Sequence, residues 1–190
     1  MAKQKWEKST HKLGENHKWR SKPGYNIFVA NWGALRFDIP SDWVIIPGAT
    51  FKFHDRQPPD DECVIELTVN TLPPADYTGF PLAAALADVL DGTHPNTISR
   101  SDVVYEERGE TRLAWSTVRY TDDSVLREAI AQNLLGLRGV IQILLTMAYW
   151  PEDAERVEPV WHEILRSIKL GEAVDISGRK QPTIIPKGYG

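Results

Sequence analysis

Apolar residues along this chain recur mostly at every second position, and in two places at every third or fourth. Residues 25–30 and 34–39 read as strands joined by Asn31-Trp32-Gly33, a three-residue connection with a glycine available for positive φ. In the second strand Leu35, Phe37 and Ile39 alternate with Ala34, Arg36 and Asp38, so one face is buried, and Pro40 stops it. Residues 43–46 are apolar and end at Pro47-Gly48; residues 50–54 alternate, with Phe51 and Phe53 opposite Lys52 and His54. Residues 64–70 give the cleanest alternation, Ile65, Leu67 and Val69 facing in and Glu66 and Thr68 facing out. A helix follows: Pro81 suits its first turn, Leu82, Leu86, Val89 and Leu90 make one apolar stripe, and Gly92 stands where a left-handed C-terminal residue belongs.

Residues 103–108 and 112–121 are strands joined through Gly109-Glu110, and 140–150 is apolar on both sides, as a central strand is. Between them, 124–135 is ambiguous: Leu126, Ile130 and Leu134 fit helical spacing and also one face of a strand. A last helix over 153–168 carries Ala154, Val157, Trp161, Ile164, Leu165 and Ile168 on its buried stripe, and Gly171 closes it. Pro159 inside that span implies a kink or a start near Glu158.

The flanks lack either period. Residues 1–23 read as a basic N-terminal tail and 171–190 as a Gly/Pro-rich C-terminal tail, in which Thr183-Ile184-Ile185 could add an edge strand; the folded unit is 24–170. The chain has 190 residues, 42% hydrophobic and 25% charged, which fits one globular domain. The single cysteine, Cys63, forms no internal disulfide, so no oxidising compartment is implied. The opening segment has no apolar h-region, and the apolar run at 140–150 contains Gln142 and Thr146 and is too short to span a bilayer as a helix. A cytoplasmic protein without membrane insertion is expected. The formal net charge of −4 makes nucleic acid an unlikely partner for the whole chain, although residues 1–23 hold seven Lys and Arg against two acids.

Two stretches are more specific. Leu35-Arg36-Phe37-Asp38-Ile39-Pro40-Ser41-Asp42-Trp43 resembles the opening F-x-x-P-x-x-W pattern of the PsbP/Mog1-like superfamily, and Ile164-Leu165-Arg166-Ser167-Ile168-Lys169-Leu170 resembles its closing helix, following a long apolar strand. The resemblance covers about residues 25–170. It implies an α+β sandwich: an antiparallel sheet of about six to eight strands packed with two main helices. It also implies that 124–135 is a strand and that Gly136-Leu137-Arg138-Gly139 turns into the next. Members of that superfamily include extrinsic photosystem subunits, a Ran-binding factor, secreted lipoproteins and chaperones of secretion effectors; their common thread is binding to another macromolecule.

Candidate chemistry is sparse. The segment from His54 to Cys63 holds His, Asp, Glu and Cys, but without C-x-x-C or H-x-x-H spacing it reads as a solvated loop and not a metal site. Cys63 borders an apolar strand and reads as a buried, inert thiol. No His has a Ser/Asp partner in a recognisable arrangement, the glycines around Leu137 match no phosphate loop, and Glu106, Glu107, Glu110, Asp122 and Asp123 read as hairpin tips. No catalytic residue, cofactor or metal is expected. The aromatic residues stand out instead. Trp32, Trp43 and Trp150 sit at element ends, while Trp6, Trp19 and Arg20 lie in the basic tail, and these six are the candidate partner-binding residues. The expected function is a non-enzymatic protein-binding or accessory module, a chaperone or adaptor whose partner is another protein, with a homodimer left open. The alternative is a small-ligand enzyme or sensor with a pocket between sheet and helices.

Overall fold

A computed structural model describes residues 19–93 and 96–171. In chain order the elements are β1 (Tyr25–Ala30), β2 (Leu35–Pro40), β3 (Val44–Ile46), β4 (Phe51–His54), β5 (Cys63–Thr71), α1 (Leu82–Thr93), β6 (Thr97–Arg100), β7 (Val104–Arg108), β8 (Thr111–Asp122), β9 (Arg127–Arg138), β10 (Ile141–Tyr149), α2 (Ala154–Ser167) and β11 (Lys169–Leu170). They form a three-stranded sheet of order β1-β2-β11 and an eight-stranded sheet of order β3-β4-β5-β10-β9-β8-β6, with β7 also on β8. All these pairings are antiparallel, so the architecture is the α+β sandwich that the resemblance implies, with a second, three-stranded sheet beside the expected one.

Period two decides what each face of the large sheet meets. Along β10, Ile143, Leu145, Met147 and Tyr149 enter the main core with the small sheet and α2; Leu144, between them, packs with α1 on the other side. The main core is rich in aromatic contacts: Phe28, Phe37, Phe51 and Phe53 meet with centroids 4.8 to 5.6 Å apart, and Trp161 of α2 is fully covered. Each such ring pair contributes roughly 0.5–1.5 kcal/mol beyond area burial. The second core is lighter, formed by Leu82, Leu86 and Leu90 of α1 on Ala114, Val118, Leu135 and Leu137.

Several boundaries differ from the sequence reading. Segment 124–135 is a strand, as the resemblance implies, but it begins at Arg127. The Asp122 carboxylate accepts hydrogen bonds from the Ser124 N–H (2.8 Å) and hydroxyl (2.6 Å), which fixes a turn that ends with Leu126, exposed at φ 52°. The next turn is Gly139-Val140 alone, with Gly139 at φ 52°. Gly136 stays in β9, where a Cβ would lie 2.8 Å from Ile143 Cγ1; here glycine is needed for close packing. Helix α1 continues through Gly92 to Thr93, and Val89 is exposed. Helix α2 passes through Pro159 without interruption, after a 3-10 turn at Pro151–Asp153. Strands β6 and β11 are additions: one is exposed throughout and the other is two residues long, so neither leaves an alternating signature. The edge strand expected at Thr183-Ile184-Ile185 lies outside the described residues.

Candidate partner-binding face

Side chains alternate across β2. Leu35, Phe37 and Ile39 go into the main core, so Arg36 and Asp38 take the outer face of the small sheet. Antiparallel register sets Val29 of β1 and Lys169 of β11 directly opposite Arg36, and Ile27 opposite Asp38. Two cations therefore stand side by side on the outer face, a cross-strand pairing that repels. Residues 19–22 lie against this face. The Arg36 guanidinium sits 4.4 Å from the Trp19 ring, Arg20 is exposed, and Lys22 Nζ lies 4.1 Å from the Tyr25 ring and 3.4 Å from Glu163 Oε2.

Asp38 and Glu163 form the acidic floor and are 2% and 7% exposed. Burial, followed by the charge of Glu163, holds the Asp38 carboxyl above its ordinary range. The Glu163 carboxylate lies below its ordinary range because Arg166 donates to it, with further help from Lys22. Ser167 ties helix to strand: its hydroxyl accepts from the Asp38 N–H (2.9 Å) and donates to the Glu163 carbonyl (2.7 Å).

At the rim of the same sheet, Asn31, Trp32 and Gly33 have φ of 47°, 56° and 96°. A left-handed non-glycine residue costs on the order of 1 kcal/mol. Trp32 in this turn is 43% exposed, and Val29 of β1 is 36% exposed. Of the six residues singled out by sequence, Trp19 lies against the small sheet and Trp32 in the turn between its first two strands, Arg20 is exposed, and Trp6 lies outside the described residues. Arg36 and Lys169 were missed, because only the strand register opposes them.

Trp43 and Trp150 are elsewhere. Trp43 packs, half-buried, against the main core, and Trp150 lies half-buried with the Arg127 guanidinium 4.2 Å from its ring. Both flank a corner that fixes the loop from His54 to Cys63. Buried Asp55 accepts hydrogen bonds from the Glu62 N–H (3.0 Å) and Cys63 N–H (3.1 Å) and pairs with Arg156 Nη1 at 2.7 Å. His54 Nδ1 meets Asp61 Oδ2 at 2.7 Å. Burial pushes the Cys63 thiol far above its ordinary range. Among the described residues no three or more of His, Cys, Asp and Glu are arranged to hold a metal ion.

A shallow cleft of about 330 Å³ opens at the start of α1, between Thr78–Ala84 and Tyr105, Glu107 and Arg112. Its arginine is a structural clamp: the Arg112 guanidinium donates to the carbonyls of Tyr77, Thr78 (2.8 Å) and Phe80 (3.1 Å). Among the described residues no helix is long and apolar enough to cross a membrane.

The sequence profile of the Alr1449 family matches residues 26–174. The uncharacterized protein alr1449 of Nostoc sp. strain PCC 7120 is 38% identical over 178 residues, 90% of this chain and 93% of that protein. Among solved structures, the solution structure of CyanoP, the cyanobacterial PsbP of Synechocystis sp. PCC 6803, matches with a TM-score of 0.52 at 12% identity over 85% of this chain and 98% of that one. A crystal structure from Bacteroides thetaiotaomicron matches with a TM-score of 0.55 at 12% identity; the match covers 78% of this chain and 49% of that one, about half its length. The fold is thus PsbP/Mog1-like.

Proposed function

The chain belongs to the Alr1449 family, and from that premise we propose that it is a non-enzymatic protein-binding module of the cytoplasm, a chaperone or adaptor in a larger assembly, which engages its partner through the outer face of the small sheet. Residues 24–170 form the folded unit in this reading, and residues 19–22 lie against the binding face. One observation carries the reading: an exposed Trp32, kept in a left-handed turn, borders a face where Arg36 and Lys169 are opposed in register. Strained backbone that presents a large ring to solvent contributes nothing to the core, and such strain concentrates where binding uses it.

Site-specific photo-crosslinking in the full chain tests this. A benzophenone side chain at Trp32 is expected to capture one defined protein in cells. The same group at Ile46, exposed on β3 at the edge of the large sheet, is expected to capture none, and Arg36→Glu is expected to abolish capture at Trp32. Equal capture at both positions would remove the small sheet from the reading.

A further inference from the structure

The segment that leads into β1 lies against the face to which binding is assigned above, and one of its anchors is ionisable. The Trp19 ring rests on the Arg36 guanidinium at 4.4 Å. Lys22 Nζ reaches Glu163 Oε2 at 3.4 Å, and the lysine side chain is 42% exposed. The chain then turns, with the Tyr25 N–H donating to the Lys22 carbonyl (3.1 Å) and Gly24 at φ 82°. None of residues 19–22 joins either hydrophobic core, so the segment is held from the surface.

Beneath Lys22 lies a pair of acids. Asp38 Oδ2 is fully enclosed and accepts no hydrogen bond; Arg166 Nη2 stands 3.7 Å from it while pairing with Glu163. Arg36, on the same strand, also faces Asp38, with Lys169 of β11 opposite Arg36, while β1 sets Ile27 opposite Asp38 and Tyr25 against Lys22. The carboxyl groups of Asp38 and Glu163 are within hydrogen-bonding reach of each other. When both are ionised neither can donate, and one shared proton supplies the missing donor. Burial, then the charge of Glu163, raises Asp38, whereas donation from Arg166 lowers Glu163, so on acidification Asp38 takes the proton first. Its O–H then donates to Glu163, competing with Lys22 for that carboxylate, and the cluster gains one positive charge.

We propose that residues 19–22 are a pH-gated strap on the binding face: with both acids ionised Lys22 is anchored and Trp19 stays on Arg36, and when Asp38 and Glu163 share one proton the strap lifts. This rests on the binding face proposed above and assigns its regulation. A partner that uses Arg36 competes with Trp19 for it, so acid opens the face.

Fluorine NMR on the full chain, with 5-fluorotryptophan at position 19 alone, reads the strap. A free peptide of residues 14–23 with the same label gives the lifted position; because it contains Glu15 and His17, their effect on the ring is subtracted. From pH 8 to pH 4.5 the ratio of seated to lifted ring is expected to fall about threefold, as for the loss of one partly exposed ion pair. Asp38→Asn keeps a donor toward Glu163 without the titration, and is expected to hold the low-pH ratio throughout. Lys22→Gln, at an exposed position, is expected to do the same, and it carries the test should Asp38→Asn fail to fold by circular dichroism. The proposal is overturned if the corrected shift is constant with pH, if the ring is seated more firmly in acid, or if either folded variant titrates like the parent. The two readings fail separately. A strap that responds to pH with no capture at Trp32 keeps the switch and removes the binding face, whereas capture at Trp32 with a strap that ignores pH does the reverse.

Discussion

The Asp55 corner and the small-sheet face both bring charged side chains together, and they resolve the charge in opposite ways. At the corner, Asp55 has two backbone N–H donors and the Arg156 guanidinium, and the result is a fixed loop between β4 and β5. At the face, Arg36 and Lys169 are set side by side by the β2–β11 register while the nearby acids are enclosed below. In the first case opposite charges close on one another and fix a loop; in the second, register places two like charges on one side of a sheet.

Removing Asp55 should test the first half of this contrast most severely. Asp55→Ala leaves two N–H groups without their acceptor and Arg156 with Asp153 alone, and a loss of about 3 kcal/mol is expected in urea unfolding. Cys63, the next strand's first residue, should at the same time become reactive to a thiol reagent in the native state. A loss below about 1 kcal/mol would mean that the corner is not held by its charges.

Asp38 should behave in the opposite sense. Its folded pKa lies above its ordinary value, so between those two values the native state binds the extra proton and stability falls as pH rises. At neutral pH the ionised group is therefore a cost, relieved as pH falls through the raised value; below the ordinary carboxylate range it makes no difference. Asp38→Asn is expected to stabilise the chain at pH 7, by up to about 1 kcal/mol, and to have little effect at pH 3. Destabilisation at pH 7 would show that the buried carboxylate is an asset to the fold and that the face is balanced after all.

The smallest effect is expected at Lys169. Lys169→Gln relieves the repulsion with Arg36 and should raise stability by about 0.3 kcal/mol at low salt, with the gain shrinking as salt is added. A loss of stability would place Lys169 among the structural charges, with Arg156.

Much of the fold was legible because burial on one face imposes alternation: Leu35, Phe37 and Ile39, or Ile65, Leu67 and Val69, announce both a strand and its inner side. What escaped has no such imprint. Thr97–Arg100 is exposed throughout, and Lys169–Leu170 is a strand only because β2 offers it an edge. The site was half legible for the same reason. Trp32 could be picked out as a ring in a tight turn, and Trp19 and Arg20 as unusual members of a basic segment. Opposition of Arg36 and Lys169 is a property of register between distant parts of the chain. Asp55 looked like one polar loop residue among many, since nothing local records that three donors converge on it.

The outer margin of β8 has a consequence of another kind. Two short strands share it, β6 along Val118–Tyr120 and β7 along Thr111–Trp115, with a bulge in the first and Ser101 at the gap between them. An incoming extended chain finds no long, straight row of unpaired amides there. An eight-stranded sheet thereby ends in an interrupted border, which works against stacking of one molecule onto the next into fibrils.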